Sequence, residues 1–305
     1  MSCCGVVGAI GSLWCKSGCK TAVVASALTF FPPPPSYDVR EVDGVWVCEY
    51  DPMITPPGPD EEVIVSMVRT RRGNDIPLFH FLCPGAHFTL IHSHGNATDC
   101  GAMADRYREM VRELGVNVIG YDYSGYGSAT GQPSEADTYA DIEAAYDYAC
   151  EHVDDPGRQI VLYGQSVGTG PTIRQAGRKP VGGAVLHAGI MSGMRVLTAS
   201  RALGCLDIYP NIDRVRRVGC PVFVMHGLED EEVGVDHGHG LYSALPPEYQ
   251  FEPWWVENCG HNDIGEDHAT HMEYYQRLLA FLQELERFHI DRKAASMAGE
   301  MASPV

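Results

Sequence analysis

The sequence predicts an α/β protein with a mostly parallel central sheet and helices packed on both faces. Three observations carry this. From residue 88 onward, short β-branched and apolar runs alternate with helix-like stretches, the pattern of a parallel sheet with helical crossovers. Two earlier runs, 62–69 and 78–82, flank a turn-rich segment and read as an antiparallel hairpin. Polar and catalytic residue types then gather just after the strand-like runs, where doubly wound sheets form their sites.

The N-terminus comes first in the chain and stands apart from the rest. Cys3, Cys4, Cys15 and Cys19 crowd an apolar stretch rich in small residues. Lys16 and Lys20 interrupt it, so no run reaches the roughly 18–20 apolar residues that span a bilayer. No basic residue precedes it as in a signal peptide, and Ser2 breaks the N-myristoylation pattern. Cysteines beside an apolar stretch fit reversible S-acylation, with two or more acyl chains needed for stable residence on a membrane. "FPPPPSY" (31–37) then reads as a stiff polyproline spacer. The expected division is a Cys-rich anchor and spacer over 1–37, a globular domain over 38–289, and a flexible tail over 290–305, where periodicity stops.

Within the domain, "EVIVSMVR" (62–69) and "LFHFL" (78–82) form the hairpin around "RRGND". "FTLIHSHGN" (88–96) is a strand running into a loop, and 99–114 is helical. "VNVIGYDYSGYG" (116–127) is a strand ending in a Gly-rich loop, and Ser134 caps a helix over 135–152. "QIVLY" (159–163), "VGGAVLH" (181–187), "PVFVMHG" (221–227) and "FEPWWVE" (251–257) supply the remaining strands, and a helix over 269–288 closes the domain. Residues 188–220 are too few for a large lid domain over the site. Met191, Met194, Leu197, Leu203 and Leu206 in that stretch are candidates either for an acyl groove or for ordinary core.

Composition bounds the function. The 305 residues are 45% hydrophobic and 20% charged, enough for a substantial core. A formal net charge of −18 argues against nucleic acid, whose phosphates need clustered Lys and Arg. It equally argues against electrostatic adhesion to an anionic leaflet, so lipid rather than charge would hold the protein on a membrane. The eleven cysteines show no CxxC pair and no zinc-finger spacing, which favours free thiols in a reducing compartment. No metal site is expected: His237 and His239 lack a third ligand at suitable spacing, and read better as a hydrogen-bonded or solvated pair. No GxGxxG follows a strand, so no dinucleotide cofactor is expected either.

The chemistry sits at three strand ends. "VLYGQSVGTGP" (161–171) places Ser166 between Gly164 and Gly168, after a strand and before a helix, the context that turns a weak GxSxG match into a nucleophile elbow. A serine hydroxyl needs a base to take its proton and a carboxylate to orient that base. His261 in "NCGHND" and Asp230 in "HGLEDEEV" fill these positions at later strand ends, with Glu229 and Glu231 as rivals for the acid. Two backbone N–H groups would hold the oxyanion: Val167, directly after the nucleophile, and Asn96, in the loop "SHGNATD". His94 can brace that loop without touching substrate.

With these residues placed, the chain resembles the alpha/beta-hydrolase superfamily. More closely it is similar to the alpha/beta-hydrolase domain-containing 17 group of membrane-anchored protein depalmitoylases. "FFPPPPSY", "LIHSHGNATD", "YDYSGYGSATGQPSE", "VLYGQSVGTGPT", "PVFVMHGLEDEEV" and "WVENCGHNDI" carry the resemblance, which extends over residues 28 to 285. It implies an alpha/beta-hydrolase fold and Ser166, Asp230 and His261 as nucleophile, acid and base. It also implies palmitoylated N-terminal cysteines, S-acylated membrane proteins as substrates, and a place at the cytosolic face of the plasma or endosomal membrane. Ala188 stands where the family carries serine.

The expected function is a serine-dependent acyl-protein thioesterase without a cofactor. Two other readings share the sequence: a lipid or small-molecule carboxylesterase with the same triad, and a catalytically inactive membrane scaffold. The intact Ser, Asp and His speak against the last.

Overall fold

The computed structural model describes residues 21–197, 207–266 and 268–302; the four N-terminal cysteines lie outside them. Helix α1 (Thr21–Thr29) comes first, with Val24, Ala25 and the following Phe30 buried against the body. Strands β1 (Tyr37–Val42) and β2 (Val45–Tyr50) then form a separate antiparallel hairpin. Its turn residues, Asp43 and Gly44, have φ of 52° and 82°. A two-residue hairpin turn that matches strand twist needs positive φ at both positions, which Asp-Gly tolerates. The strands expected from the sequence begin at residue 62, and this hairpin precedes them.

The main sheet is built from β3 (Val63–Arg69), β4 (Asp75–Phe81), β5 (Thr89–Ser93), β6 (Asn117–Tyr121), β7 (Ile160–Gln165), β8 (Gly183–His187), β9 (Val222–Gly227) and β10 (Trp254–Val256). Their order is β10-β9-β8-β7-β5-β6-β4-β3. β3, β4 and β6 pair antiparallel, and every other neighbouring pair is parallel. The expected hairpin entry and mostly parallel sheet are therefore present.

Between the strands run α2 (Ala104–Leu114), α3 (Glu135–Cys150), α4 (Pro156–Gln159), α5 (Thr169–Ala176), α6 (Gly193–Leu197), α7 (Asn211–Arg214) and α8 (Asp236–Ala244). Ser134 caps α3 as its sequence position suggests: its φ is −151°, and its hydroxyl accepts from the Asp137 N–H at 3.1 Å. Successive strand residues serve opposite faces. Leu90, Val118, Val161, Val185 and Phe223 join one apolar cluster with α2 residues Tyr107 and Met110. Ile91, Ile119, Leu162, Leu186 and Val224 join another with Ile142 of α3 and Ile173 of α5. A strand buried on both sides has no solvent-facing polar face, which is why these runs are predominantly apolar.

The last helix, α9 (His268–Ala302), runs past the end expected at 288 and through the stretch expected as a flexible tail. Phe281 and Leu285 are fully buried, and His289 Nε2–H donates to Gly182 O at 2.9 Å. Beyond that contact, "RKAASMAGEMA" is rich in strong helix formers, so the helix propagates without an apolar face to announce it.

Candidate active site

β5 is flanked by β6 on one side and β7 on the other, so the strand order reverses beside it. A crevice opens at such a switch point beyond the carboxyl ends of the strands. Ser93 of β5 pairs with Gly164 of β7, which brings the loops after both strands side by side. Ser166 sits at the sharp corner between β7 and a 3-10 turn (Ser166–Gly168) that leads into α5. Its φ is 52°, a left-handed backbone that L residues adopt only under constraint and that clusters at functional sites.

The flanking glycines are needed for close approach. A Cβ on Gly164 would lie 2.5 Å from Thr172 Oγ1 and 2.6 Å from Gly168 O, and one on Gly168 would lie 2.2 Å from Ser93 O. Only bare backbone lets the corner fold this tightly against β5. The Thr169 hydroxyl donates to Ser166 O at 2.6 Å and closes the turn. Gly170 has its own reason: a Cβ there would enter the ring of the buried Tyr209, 2.3 Å from the nearest ring carbon. Pro171 follows without disturbing α5, because the first helical turn has no carbonyl partner for its N–H to lose.

His261 reaches this corner from the loop after β10. Its Nε2 is 2.9 Å from Ser166 Oγ, and its Nδ1 is 2.7 Å from Asp230 Oδ2. Asp230 is held from several sides: its Oδ1 accepts from the Glu232 and Val233 N–H groups at 2.9 and 2.8 Å. Nε2–H of the buried His226 donates to Val233 O at 2.7 Å and lies 3.2 Å from Asp230 Oδ2. Burial alone would raise the Asp230 pKa. The hydrogen bonds from His226, His261 and Val233 outweigh it and hold the carboxyl well below the usual carboxylate range. An ionised Asp230 can only accept, so Nδ1 of His261 carries the proton and Nε2 is left to accept from the Ser166 hydroxyl.

The two loops meet because Gly227 has no side chain: a Cβ there would lie 2.3 Å from Cys259 O. The Glu229 N–H donates to Cys259 O at 3.0 Å, and Asp263 Oδ2 accepts from the Gly260 N–H at 2.6 Å, fixing the His261 loop. Asp230, rather than Glu229 or Glu231, is the acid that faces His261.

Ser166, Val167, His261 and Asn96 line one cavity of about 180 Å³. Its other walls are mainly apolar, from Leu28, Ile190, Val196 and Val233, with Glu232 at the side. Both residues expected to serve the oxyanion thus border the nucleophile. Met191 and Met194 do not line it. Gly193 and Val196, three apart on α6, face the cavity, while Met194 is turned into the core and Met191 packs beside Gly240. Leu203, Leu206 and the side chain of Leu197 lie outside what the structure describes.

Comparison with other proteins agrees with this architecture. The hydrolase family described as serine aminopeptidase S33 matches residues 85–206. Alpha/beta hydrolase domain-containing protein aho-3 of Caenorhabditis elegans is 40% identical over 267 residues, covering 85% of this chain and 77% of that protein. Alpha/beta hydrolase domain-containing protein 17B of Homo sapiens is 35% identical over 279 residues, covering 89% of this chain and 94% of that one. The chain belongs to the alpha/beta hydrolase domain-containing 17 family. Among solved structures, the esterase Pf2001 of Pyrococcus furiosus is similar with a TM-score of 0.64 at 16% identity, covering 83% of this chain and 99% of that one. The fold is the alpha/beta-hydrolase fold, and this family member is a hydrolase.

Several further residues around the site of this hydrolase support its loops. The buried His94 donates from Nδ1 to Gly95 O at 2.8 Å and its ring lies tilted against Tyr123, whose hydroxyl donates to His94 O at 2.6 Å. It braces the loop, as its position allowed. Asp99 accepts from the Ser36 N–H at 2.7 Å and from the Ser36 hydroxyl, and Asp122 accepts from the Tyr37 hydroxyl. These carboxylates tie the proline segment onto the body at its far end. His237 and His239 are engaged separately: His237 Nδ1 accepts from the Met191 N–H at 3.0 Å, and His239 packs edge-on against Trp255.

Proposed function

We propose that this family member is a serine hydrolase that removes fatty-acyl groups from S-acylated membrane proteins, working at the cytosolic face of a membrane to which its own acylated N-terminal cysteines hold it. The observation that carries the reading is the hydrogen-bonded chain from Asp230 through His261 to Ser166, opening onto an apolar cavity. Ser166 Oγ attacks the thioester carbonyl as His261 Nε2 takes its proton, and the N–H groups of Val167 and Asn96 receive the developing oxyanion. The C–S bond breaks, and the proton passes from His261 to the departing cysteine sulfur. Water then enters, gives a proton to His261 and attacks the acyl-enzyme, releasing the fatty acid and restoring the Ser166 hydroxyl. A thiolate leaves readily, so oxyanion stabilisation and positioning carry most of the catalytic effect.

Among the described residues no helix is long and apolar enough to cross a membrane, and the acylated cysteines supply the attachment in this reading. A second reading is a lipid or small-molecule carboxylesterase with the same triad; the modest cavity, which suits short acyl groups, supports its small-molecule form. The deciding experiment compares wild type with Ser166→Ala on an S-palmitoylated protein, a monoglyceride and short esters. Thioester release lost in Ser166→Ala supports the first reading. Ester turnover with no release from acylated protein replaces it with the second.

A further inference from the structure

We propose that the N-terminal strap Leu28–Phe31 is a working part of the active site. It forms one wall of the acyl pocket and, through the Asn96 side chain, sets the loop whose N–H faces the oxyanion. The inference rests on the acyl-transfer reading of Ser166 but not on the substrate being a thioester.

Two independent sets of contacts lead here. The first is the pocket wall. Leu28, Thr29 and Phe31 line the Ser166 cavity together with Ile190, Val196 and Val233. Leu28 is half-buried, at the rim. At about 180 Å³ the cavity is smaller than the roughly 300–1,000 Å³ of sites that enclose a drug-sized ligand. A long acyl chain therefore overfills it and must extend beyond it, with the strap as one of the walls it meets, whereas a short one fits inside. Leu28 is the side chain at which the two cases separate.

The second is the clasp. Asn96 Nδ2 donates to Thr29 O at 2.6 Å, and Asn96 Oδ1 accepts from the Phe31 N–H at 3.0 Å and the Tyr126 hydroxyl at 2.7 Å. Thr29 O is one of the carbonyls left without a partner at the end of α1, so the amide completes the helix end as well as gripping the chain. The next four residues, Pro32 to Pro35, have no N–H to offer, and the next firm grip is Asp99 on Ser36. Both grips come from the loop after β5, which also supplies the Asn96 N–H. The Asn96 side chain is thus committed to the strap while its backbone serves the site. A shift of the strap moves the oxyanion donor with it.

The test uses the full chain and the rate at which ethyl and hexadecyl fluorophosphonates label Ser166. Leu28→Trp fills the rim. It should slow the hexadecyl probe by about tenfold or more relative to the ethyl probe, the discrimination that a few methylene-sized clashes produce. Leu28→Ala should shift the hexadecyl-to-ethyl ratio the other way, and it decides the matter if the tryptophan variant does not fold. Equal slowing of both probes, or an unchanged ratio in both variants, overturns the wall. Asn96→Asp removes the donor to Thr29 O and sets a carboxylate against that carbonyl. With active sites counted by end-point labelling, its kcat per labelled site on a short ester should fall by about 10–100-fold, less than or comparable to loss of an oxyanion donor. A normal kcat per labelled site overturns the clasp. If wild type labels normally yet releases no acyl group from protein, the thioesterase reading fails while these ratios still judge the strap.

Discussion

Nδ1 of His261 stands 2.7 Å from Oδ2 of Asp230. The histidine's proton is therefore placed by a carboxylate that is itself held ionised by its neighbours. Replacing the carboxylate by an amide keeps the shape but removes the constraint on tautomer. Asp230→Asn should lower kcat by about 10⁴-fold with the fold intact, as loss of tautomer control does in other triads. Steady-state ester hydrolysis alongside a melting curve checks this; a decrease of less than tenfold would remove Asp230 from the mechanism.

Gly168→Ala should damage stability and turnover together. The new methyl group would meet Ser93 O at 2.2 Å and His94 O at 2.7 Å, main-chain atoms that cannot rotate away. Overpacking of this kind costs about 1–3 kcal/mol, and the displaced chain leads directly to Asn96. Urea unfolding and kcat report the two effects. A variant with wild-type stability would show that the corner is looser than its geometry implies.

Asp141 makes a pH-dependent contribution. It is buried and accepts from the Ser124 N–H and hydroxyl, each at 2.8 Å. Burial raises its pKa from 3.8 to about 7, against the lowering effect of those bonds. Between these values the folded protein holds a proton that the unfolded chain has released. The group's contribution is thus fully present below 3.8 and is lost as pH rises to about 7. Asp141→Asn cannot ionise, so its melting temperature should gain on wild type from about pH 5 to about pH 8. A constant gap between the two curves would contradict the assignment.

Converting Cys3, Cys4, Cys15 and Cys19 together to Ser should release the protein from membranes into the soluble fraction. The net charge of −18 leaves no electrostatic substitute for the lipid. Single substitutions should have weaker effects, because three of the four cysteines remain and two acyl chains suffice to hold. Membrane fractionation unchanged in the quadruple variant would count against the anchor.

Local context made Ser166 legible, because its strand, glycines and helix are adjacent in the chain. The same holds for the strands, whose apolar runs reflect burial on both sides. His261 and Asp230 could be inferred from strand order, since each follows a strand that ends at the same edge. The Asn96 clasp could not: its partners, Thr29 and Phe31, are more than sixty residues away, and one asparagine looks like another in a loop. The hairpin of β1 and β2 did leave a trace in Asp43-Gly44, with apolar residues alternating on either side. Helix α1 was concealed by its composition, as small apolar residues suit an anchor and a packed helix equally. Gly170 became explicable only when Tyr209 arrived from a distant loop to occupy the space above it.

The short path between Cys19 and the Ser166 cavity limits where the enzyme can act. One residue, Lys20, separates Cys19 from α1, a reach of at most roughly 7 Å, and the helix adds a rise of roughly 10 Å to Leu28. With an acyl chain on Cys19, the reacting centre has a leash rather than a tether. If S-acylated proteins are the substrates, as proposed above, choice among them becomes a matter of altitude: a thioester close to the headgroups is within range, and one raised on a long stalk is not.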